Sequence, residues 1–253
     1  MNMTALITGA SSGIGRDIAR RLGIMGVRLI ISGRNMEKLE ALRDEIGKRQ
    51  VKIIPADISD REECIRLYME ASRYGVDILV NNAGFGLYGS FCGTDLGREL
   101  EMIDVNIASL HILTKLFLQD FVKRDKGYIL NVASSAGFMP GPLMATYYST
   151  KNYVVRLTEA IRQELISTGS NVYIGVFCPG PVDTDFNKTA GVRFALKGIS
   201  SERAAVCAVD GMFKRKAVIV PTLTMKAAVT AAQILPDPIV SKITIHMQKK
   251  KQG

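Results

Sequence analysis

The chain has 253 residues, of which 47% are hydrophobic, and 33 lysines and arginines against 24 aspartates and glutamates give it a net charge of +9. That size and apolar content fit one α/β domain with a single large core. Composition and charge exclude several classes: no apolar run reaches the roughly 18 residues of a membrane span, the excess basic charge lacks the aromatic interleaving of a nucleic-acid surface, and Cys64, Cys92, Cys178 and Cys207 form no metal-spaced set with each other or with His111 and His246.

Met3 to Thr8 is a short run of strand formers. Gly9-Ala10-Ser11-Ser12-Gly13-Ile14-Gly15 follows at once, and Arg16 to Ile24 then carries apolar residues at helical spacing. Strand, glycine turn and helix in that order are the context of a dinucleotide site. The first glycine permits the tight turn, and the later ones let backbone approach a pyrophosphate and let helix pack on strand. Ser11 and Ser12 add hydroxyl donors, and the helix N-terminus offers free N–H groups to phosphate.

Val27 to Ser32 reads as the second strand, and Gly33-Arg34-Asn35 comes just past it, with no acid before Glu37. A carboxylate at this place suits the ribose 2′-OH of NAD, and an arginine suits the 2′-phosphate of NADP. Arg34 therefore points to NADP(H), the alternative being a solvated loop arginine. Further strands are expected at Val51–Pro55, Ile78–Val80, Tyr128–Ala133, Tyr173–Phe177 and Val218–Val220, with helical patterns between them. This alternation predicts a Rossmann-like, doubly wound parallel sheet of about seven strands with helices on both faces, in a single domain.

Tyr147 and Lys151 stand four residues apart, and Ser134 precedes the tyrosine by thirteen. On a helix, residues i and i+4 share a face. An ammonium beside a phenol favours the phenolate and lowers its pKa from about 10, which makes the tyrosine a usable general acid and base. Ser134 can hydrogen-bond the same substrate oxygen. Alone, the pair also fits a half-buried tyrosine beside a solvated lysine.

Beyond Pro221, Met225 to Leu235 is helical and apolar on more than one face, Pro236-Asp237-Pro238 breaks it, and Ile239 to Met247 forms a second amphipathic stretch before the lysine-rich end. Residues 1–221 form the expected dinucleotide-binding and catalytic unit, and 222–253 a helical extension. Two placements fit the extension: docked on the domain or on a second subunit, or lying as a weak peripheral contact on an anionic membrane.

Taken together, these features resemble the short-chain dehydrogenase/reductase family. Gly9-x-x-x-Gly13-Ile14-Gly15 resembles its cofactor loop, Asp57-Ile58 its adenine contact, and Asn81-Asn82-Ala83-Gly84 its Asn-Asn-Ala-Gly motif. Asn106 falls where the family keeps an asparagine that supports a water relay to the lysine. Ser134, Tyr147 and Lys151 match the catalytic serine, tyrosine and lysine. Pro179-Gly180-Pro181-Val182-Asp183-Thr184 resembles the segment that closes over the nicotinamide.

The resemblance implies cofactor contacts at Gly9, Ser11, Ser12, Gly13, Ile14, Gly15, Arg34, Asp57, Ile58, Asn81, Ala83, Gly84, Tyr147, Lys151, Pro179, Gly180, Val182 and Thr184. It also implies a substrate lid over residues 184–201, where Phe186, Val192, Phe194, Ala195 and Leu196 are apolar and Gly191 and Gly198 permit motion. Phe85, Phe138, Met139 and Met144 are expected to join Phe186 around the substrate, or else to be plain core.

The expected activity is NADP(H)-dependent interconversion of a fairly apolar ketone or aldehyde and its alcohol, in a cytoplasmic homodimer or homotetramer with reduced thiols. The alternatives are an epimerase or dehydratase, or a redox sensor that binds NADPH and a protein partner.

Overall fold

The computed structural model describes residues 3–184, 186 and 198–249. Seven strands form one sheet: β1 (Thr4–Thr8), β2 (Arg28–Ser32), β3 (Val51–Ile53), β4 (Ile78–Asn81), β5 (Tyr128–Val132), β6 (Tyr173–Phe177) and β9 (Val218–Ile219). Their order is β3-β2-β1-β4-β5-β6-β9, and every neighbouring pair is parallel. The expected Rossmann-like, doubly wound single domain is therefore what forms. The chain starts in the middle, winds out to β3, returns to β4 beside β1, and winds the other way. The reversal between β1 and β4 opens a crevice at the carboxyl ends of the strands, where such folds bind ligands.

Helices cover both faces. Ala5 and Ile7 of β1 pack with Ile18 and Leu22 of α1 (Gly13–Ile24) and with Ala204 and Ala208 of α7 (Ser201–Phe213). Leu6 and Ile30 face the other way, onto Leu67 of α3 (Arg61–Ser72) and Leu113 and Phe117 of α5 (Ser109–Lys123). α2 (Met36–Ile46), α4 (Leu96–Ile103) and α6 (Ala145–Ser167) complete the layers. Strands buried on both sides read as near-continuous apolar runs, which is why the central strands β1, β4, β5 and β6 stand out in the sequence. Their ends differ by a residue or two. β3 stops at Ile53 rather than Pro55, and proline has no N–H to donate to a ladder.

Three local features differ from expectation. α1 begins at Gly13, inside the glycine turn, rather than at Arg16. A π-helical turn, Asp104–Ala108, joins α4 to α5 and carries Asn106. Such turns are rare and occur often at functional sites. Two short strands, β7 (Val182–Asp183) and β8 (Ile199–Ser200), pair in parallel outside the main sheet. Of the expected lid, Gly191, Val192, Phe194, Ala195 and Leu196 lie outside the described residues.

The C-terminal extension folds as α8 (Leu223–Ile234) and α9 (Asp237–Lys249) and packs on the domain. Val229, Val240, Thr244 and Gln248 are buried. Gln248 Nε2 donates to Tyr148 Oη at 2.7 Å, and Tyr88 Oη donates to the Gln248 carbonyl at 3.3 Å. No helix among the described residues is long and apolar enough to cross a membrane.

Candidate active site

The glycine turn is locked from β4. Asn82 Nδ2 donates to the carbonyls of Thr8 and Gly9 at 3.0 and 3.2 Å, and the N–H groups of Asn82 and Ala83 both donate to Thr8 Oγ1. Gly9 has φ +65°, and a Cβ there would lie 2.8 Å from Ala83 Cα. A Cβ on Gly15 would lie 2.2 Å from Asn82 Nδ2 and 2.5 Å from the Gly9 carbonyl. These glycines bring α1 hard against β1 and β4. Ser12 is the N-cap of α1, yet its side chain makes no capping bond, and the first turn holds no acid. The turn therefore presents unpaired N–H groups and hydroxyls to the crevice, a cradle that suits a phosphate.

One cavity of about 950 Å³ runs from this cradle past both ends of the sheet crevice. At one end it meets Gly33, Arg34, Ala56, Asp57 and Ile58, and at the other Ser134, Tyr147 and Lys151. Arg34 lines the first end of the cavity and is already engaged: Nη1 lies 3.2 Å from Glu101 Oε1 and 3.8 Å from Asp57 Oδ2. Arg98, which the sequence reading did not single out, also lines the cavity, lies over the Phe85 ring at 4.8 Å and pairs with Glu101.

Ser134 follows β5 and caps the short 3-10 turn Ser135–Phe138, accepting from the Ala136 N–H. That turn lies tightly on α6. A Cβ on Gly137 would meet the Lys151 carbonyl at 2.6 Å, and Asn152 Nδ2 donates to the Gly137 carbonyl at 3.0 Å. This contact brings Ser134 within hydrogen-bonding reach of the Tyr147 hydroxyl. Lys151, one helical turn on, places Nζ 5.9 Å from the centre of the Tyr147 ring and donates to the Val132 carbonyl at 3.1 Å.

The electrostatics differ from the sequence expectation. Burial pushes the Tyr147 phenol well above its usual range, and the Ser134 hydrogen bond only partly offsets this. Burial also lowers Lys151, to about 8. Both shifts have one physical cause: the charged form of each group loses its water. Desolvation, rather than the neighbouring ammonium, governs the phenol here.

Asn106 is buried and fully used. Its Nδ2 donates to the Phe85 carbonyl at 2.9 Å and to Thr150 Oγ1 at 3.0 Å, while Oδ1 accepts from the Phe85 N–H at 3.1 Å. Thr150 Oγ1 in turn donates to the Tyr147 carbonyl at 2.7 Å. Asn106 thus braces α6 against the loop after β4. Gly84 fits between Asn106 and Lys151: a Cβ there would lie 2.8 Å from Asn106 Oδ1 and 3.2 Å from Lys151 Nζ.

Most expected residues meet at this cavity: Gly9, Ser11, Ser12, Gly13, Ile14, Arg34, Asp57, Ile58, Ala83, Gly84, Phe85, Ser134, Met139, Met144, Tyr147, Lys151, Pro179, Gly180, Val182, Thr184 and Phe186. The Phe186 ring stands 5.4 Å from that of Tyr147. Four expected residues do not line the cavity: Asn81, Phe138, Gly15 and Asn106. Asn81, the last residue of β4, turns into the core, where Nδ2 donates to Thr114 and Asn131, both at 2.9 Å. Its neighbour Asn82 takes the place at the cavity wall. Phe138 points away and packs with Val154, Val155 and Val229. Gly15 and Asn106 act from behind the wall.

Missing from the sequence reading was the wall made by α8 and α9: Met225, Ala228, Ala232, Ile243, Thr244 and Met247 all line the cavity. The apolar, small-residue character of Met225–Leu235 on more than one face was the available sign. His111 Nδ1 pairs with Tyr153 Oη at 2.7 Å. All four cysteines are free, and no group of acids, cysteines and histidines among the described residues is placed to hold a metal.

A family model described as short chain dehydrogenase matches residues 3–193. A relative from Staphylococcus aureus, named an uncharacterized oxidoreductase, is 33% identical over 187 residues, which cover 73% of this chain and 80% of the relative. Among solved structures, a short-chain dehydrogenase from Sphingobium yanoikuyae in complex with NADPH has a TM-score of 0.83 at 28% identity, covering 90% of this chain and 91% of that one. A short chain dehydrogenase/reductase from Burkholderia phymatum in complex with NAD has the same TM-score of 0.83 at 23% identity, covering 90% and 92%, a likeness of fold alone.

Proposed function

The chain belongs to the short-chain dehydrogenase family, and on that premise we propose that this oxidoreductase interconverts an apolar ketone or aldehyde and its alcohol with NADP(H). The observation that carries the reading is the single cavity in which the glycine cradle and the Ser134–Tyr147–Lys151 group share walls.

The cradle fits a dinucleotide, because Gly9 and Gly15 leave no room for a Cβ between the turn, α1 and β4, and the uncapped N-terminus of α1 faces the cavity with Ser11, Ser12 and Gly13. In this reading Gly9, Ser11, Ser12, Gly13 and Ile14 hold the pyrophosphate. Arg34, Asp57 and Ile58 hold the adenosine end. Ala83, Gly84, Pro179, Gly180, Val182 and Thr184 flank the nicotinamide, and Asn82 fixes the turn. A nicotinamide dinucleotide bound there supplies or takes up the hydride.

The chain's own residues handle the proton. The raised Tyr147 phenol is protonated at neutral pH, so Oη is loaded to donate to a carbonyl oxygen. Ser134 Oγ donates to the same oxygen and stabilises the negative charge that develops on it. Lys151, with a pKa near 8, is largely an ammonium at pH 7; its positive charge beside Tyr147 eases proton departure and suits a ribose hydroxyl. Asn106 holds Phe85 and Thr150 in place and lies on the route by which Lys151 would exchange protons with water. Phe85, Met139, Met144 and Phe186 exclude water from the reacting oxygen. Exposed Phe91, Leu96 and Leu100 on and beside α4 are apolar surface that a homodimer or homotetramer would bury.

The test is consumption of NADPH and of NADH across carbonyl classes. Turnover is expected with NADPH on apolar ketones or aldehydes and little on sugars. Tight NADPH binding with no turnover on any class would favour a redox sensor and overturn the enzyme reading.

A further inference from the structure

The helices α8 and α9 have one face on the domain and one face on solvent, and the solvent face is the wrong kind for water. On a surface helix the outward side is polar. On α8 the outward residues include Leu223 and Ile234, 82% and 77% exposed, with Ala227 and Ala231 beside them. On α9, Ile239, Ile243 and Met247 follow at i, i+4 and i+8 and are all roughly half exposed. No acid occurs on α8, and the only acid on α9 is Asp237 in its first turn.

Basic side chains flank this apolar stripe. Lys242, His246 and Lys249 fall at i, i+4 and i+7 on the neighbouring strip of α9, and Lys226 lies at the edge of α8; all four are exposed. An apolar stripe edged by lysine is the pattern of a helix that lies in an anionic bilayer interface, where each lysine near the surface adds to the attraction.

The stripe is also the mouth of the catalytic cavity. Leu235, Ile243 and Met247 line the cavity and are at the same time 40%, 49% and 45% exposed. The opening between α8 and α9 is thus rimmed by apolar side chains, and it leads to Tyr147 along Met225, Ala228 and Ala232. Gln248 and Tyr148 tie this pair of helices to the catalytic helix α6.

We propose that the outward face of α8 and α9 docks on the surface of an anionic lipid bilayer, with the cavity mouth opening into it. The consequence for chemistry rests on the reductase reading: the substrate is a lipid-soluble carbonyl or alcohol that partitions into the bilayer and enters between the helices without crossing water.

The test is co-sedimentation of the full chain with vesicles of phosphatidylcholine, alone and mixed with phosphatidylglycerol. The wild type is expected to sediment with the mixed vesicles and far less with phosphatidylcholine alone. The Leu223→Glu/Ile234→Glu double variant, whose side chains point away from the cavity, is expected to stay in the supernatant while keeping wild-type NADPH affinity and thermal midpoint. Lys242→Glu with Lys249→Glu should weaken partitioning into mixed vesicles by more than about tenfold.

Failure of the wild type to sediment, or unchanged sedimentation of the double variant, overturns the proposal. So does a wild-type dimer that Ile234→Glu splits and that ignores vesicles, since a second copy would then cover the face. Vesicle binding without carbonyl turnover would leave this surface standing and remove the reductase reading instead.

Discussion

Glu101 holds Arg34 at the lip of the cavity: Arg34 Nη1 donates to Glu101 Oε1 across 3.2 Å, and the same carboxylate pairs with Arg98. The guanidinium that would meet a 2′-phosphate is therefore already shared with a carboxylate, and a phosphate must displace it. Such an exposed pair is worth about 1 kcal/mol or less. Glu101→Gln is expected to tighten NADPH by up to about fivefold and to leave NADH nearly unchanged. Titration of both cofactors by fluorescence checks this, and equal changes for the two would show that Glu101 does not compete with phosphate.

Arg34→Asp reverses the charge at the same point. The expected outcome is a shift of preference from NADPH toward NADH, read as the ratio of kcat/KM values. An unchanged ratio would place recognition of the 2′-phosphate elsewhere, Arg98 being the other cation on that wall.

Gly15→Ala tests the packing that makes the cradle. The new Cβ would meet Asn82 Nδ2 at 2.2 Å and the Gly9 carbonyl at 2.5 Å. A forced overlap of this kind typically costs about 1–3 kcal/mol. Denaturant unfolding should show that loss together with weakened dinucleotide binding. Full stability with full binding would mean that the turn yields freely.

Lys151 gives a pH dependence with a definite sign. Burial lowers its pKa to about 8 from an ordinary value of 10.5. Between about pH 8 and 10.5 the unfolded chain holds a proton that the folded chain has released, so this group adds stability as pH rises through that window. Below pH 8 both states are protonated and the fold carries the buried ammonium. Lys151→Met removes that cost. The variant should gain most over wild type at pH 7, by at most about 3 kcal/mol, and progressively less toward pH 10. A gain that does not vary with pH would show that the lysine is not desolvated.

The fold was legible because its physics is local. Strands covered on both faces must be apolar throughout, as in Ala5-Leu6-Ile7 and Ile129-Leu130. Tyr147 and Lys151 were legible because one helical turn aligns them, and the glycine turn because its spacing marks a strand passing into a helix.

The misreadings came from what only the assembled fold decides. Asn81 and Asn82 have the same side chain on consecutive residues, and the end of β4 sends the first into the core and the second to the cavity. Phe138 and Met139 sit at the end of a 3-10 turn with no sequence period to tell inward from outward. Glu101 meets Arg34 from 67 residues away. The tyrosine's raised pKa reflects burial, which motif spacing cannot report. The α8 and α9 wall was visible as apolar helix, but not the side on which the cavity lay.

The most direct measurement is turnover and cofactor binding by Tyr147→Phe on the best apolar carbonyl found with NADPH. The substitution removes one oxygen and leaves the ring against Phe186. Proton transfer by a positioned side chain contributes about 10²–10⁴-fold, so kcat should fall by at least that range while NADPH affinity stays within about twofold. A variant that binds NADPH and turns over like wild type would contradict the assignment of Tyr147 as the proton donor, and with it the account of the site.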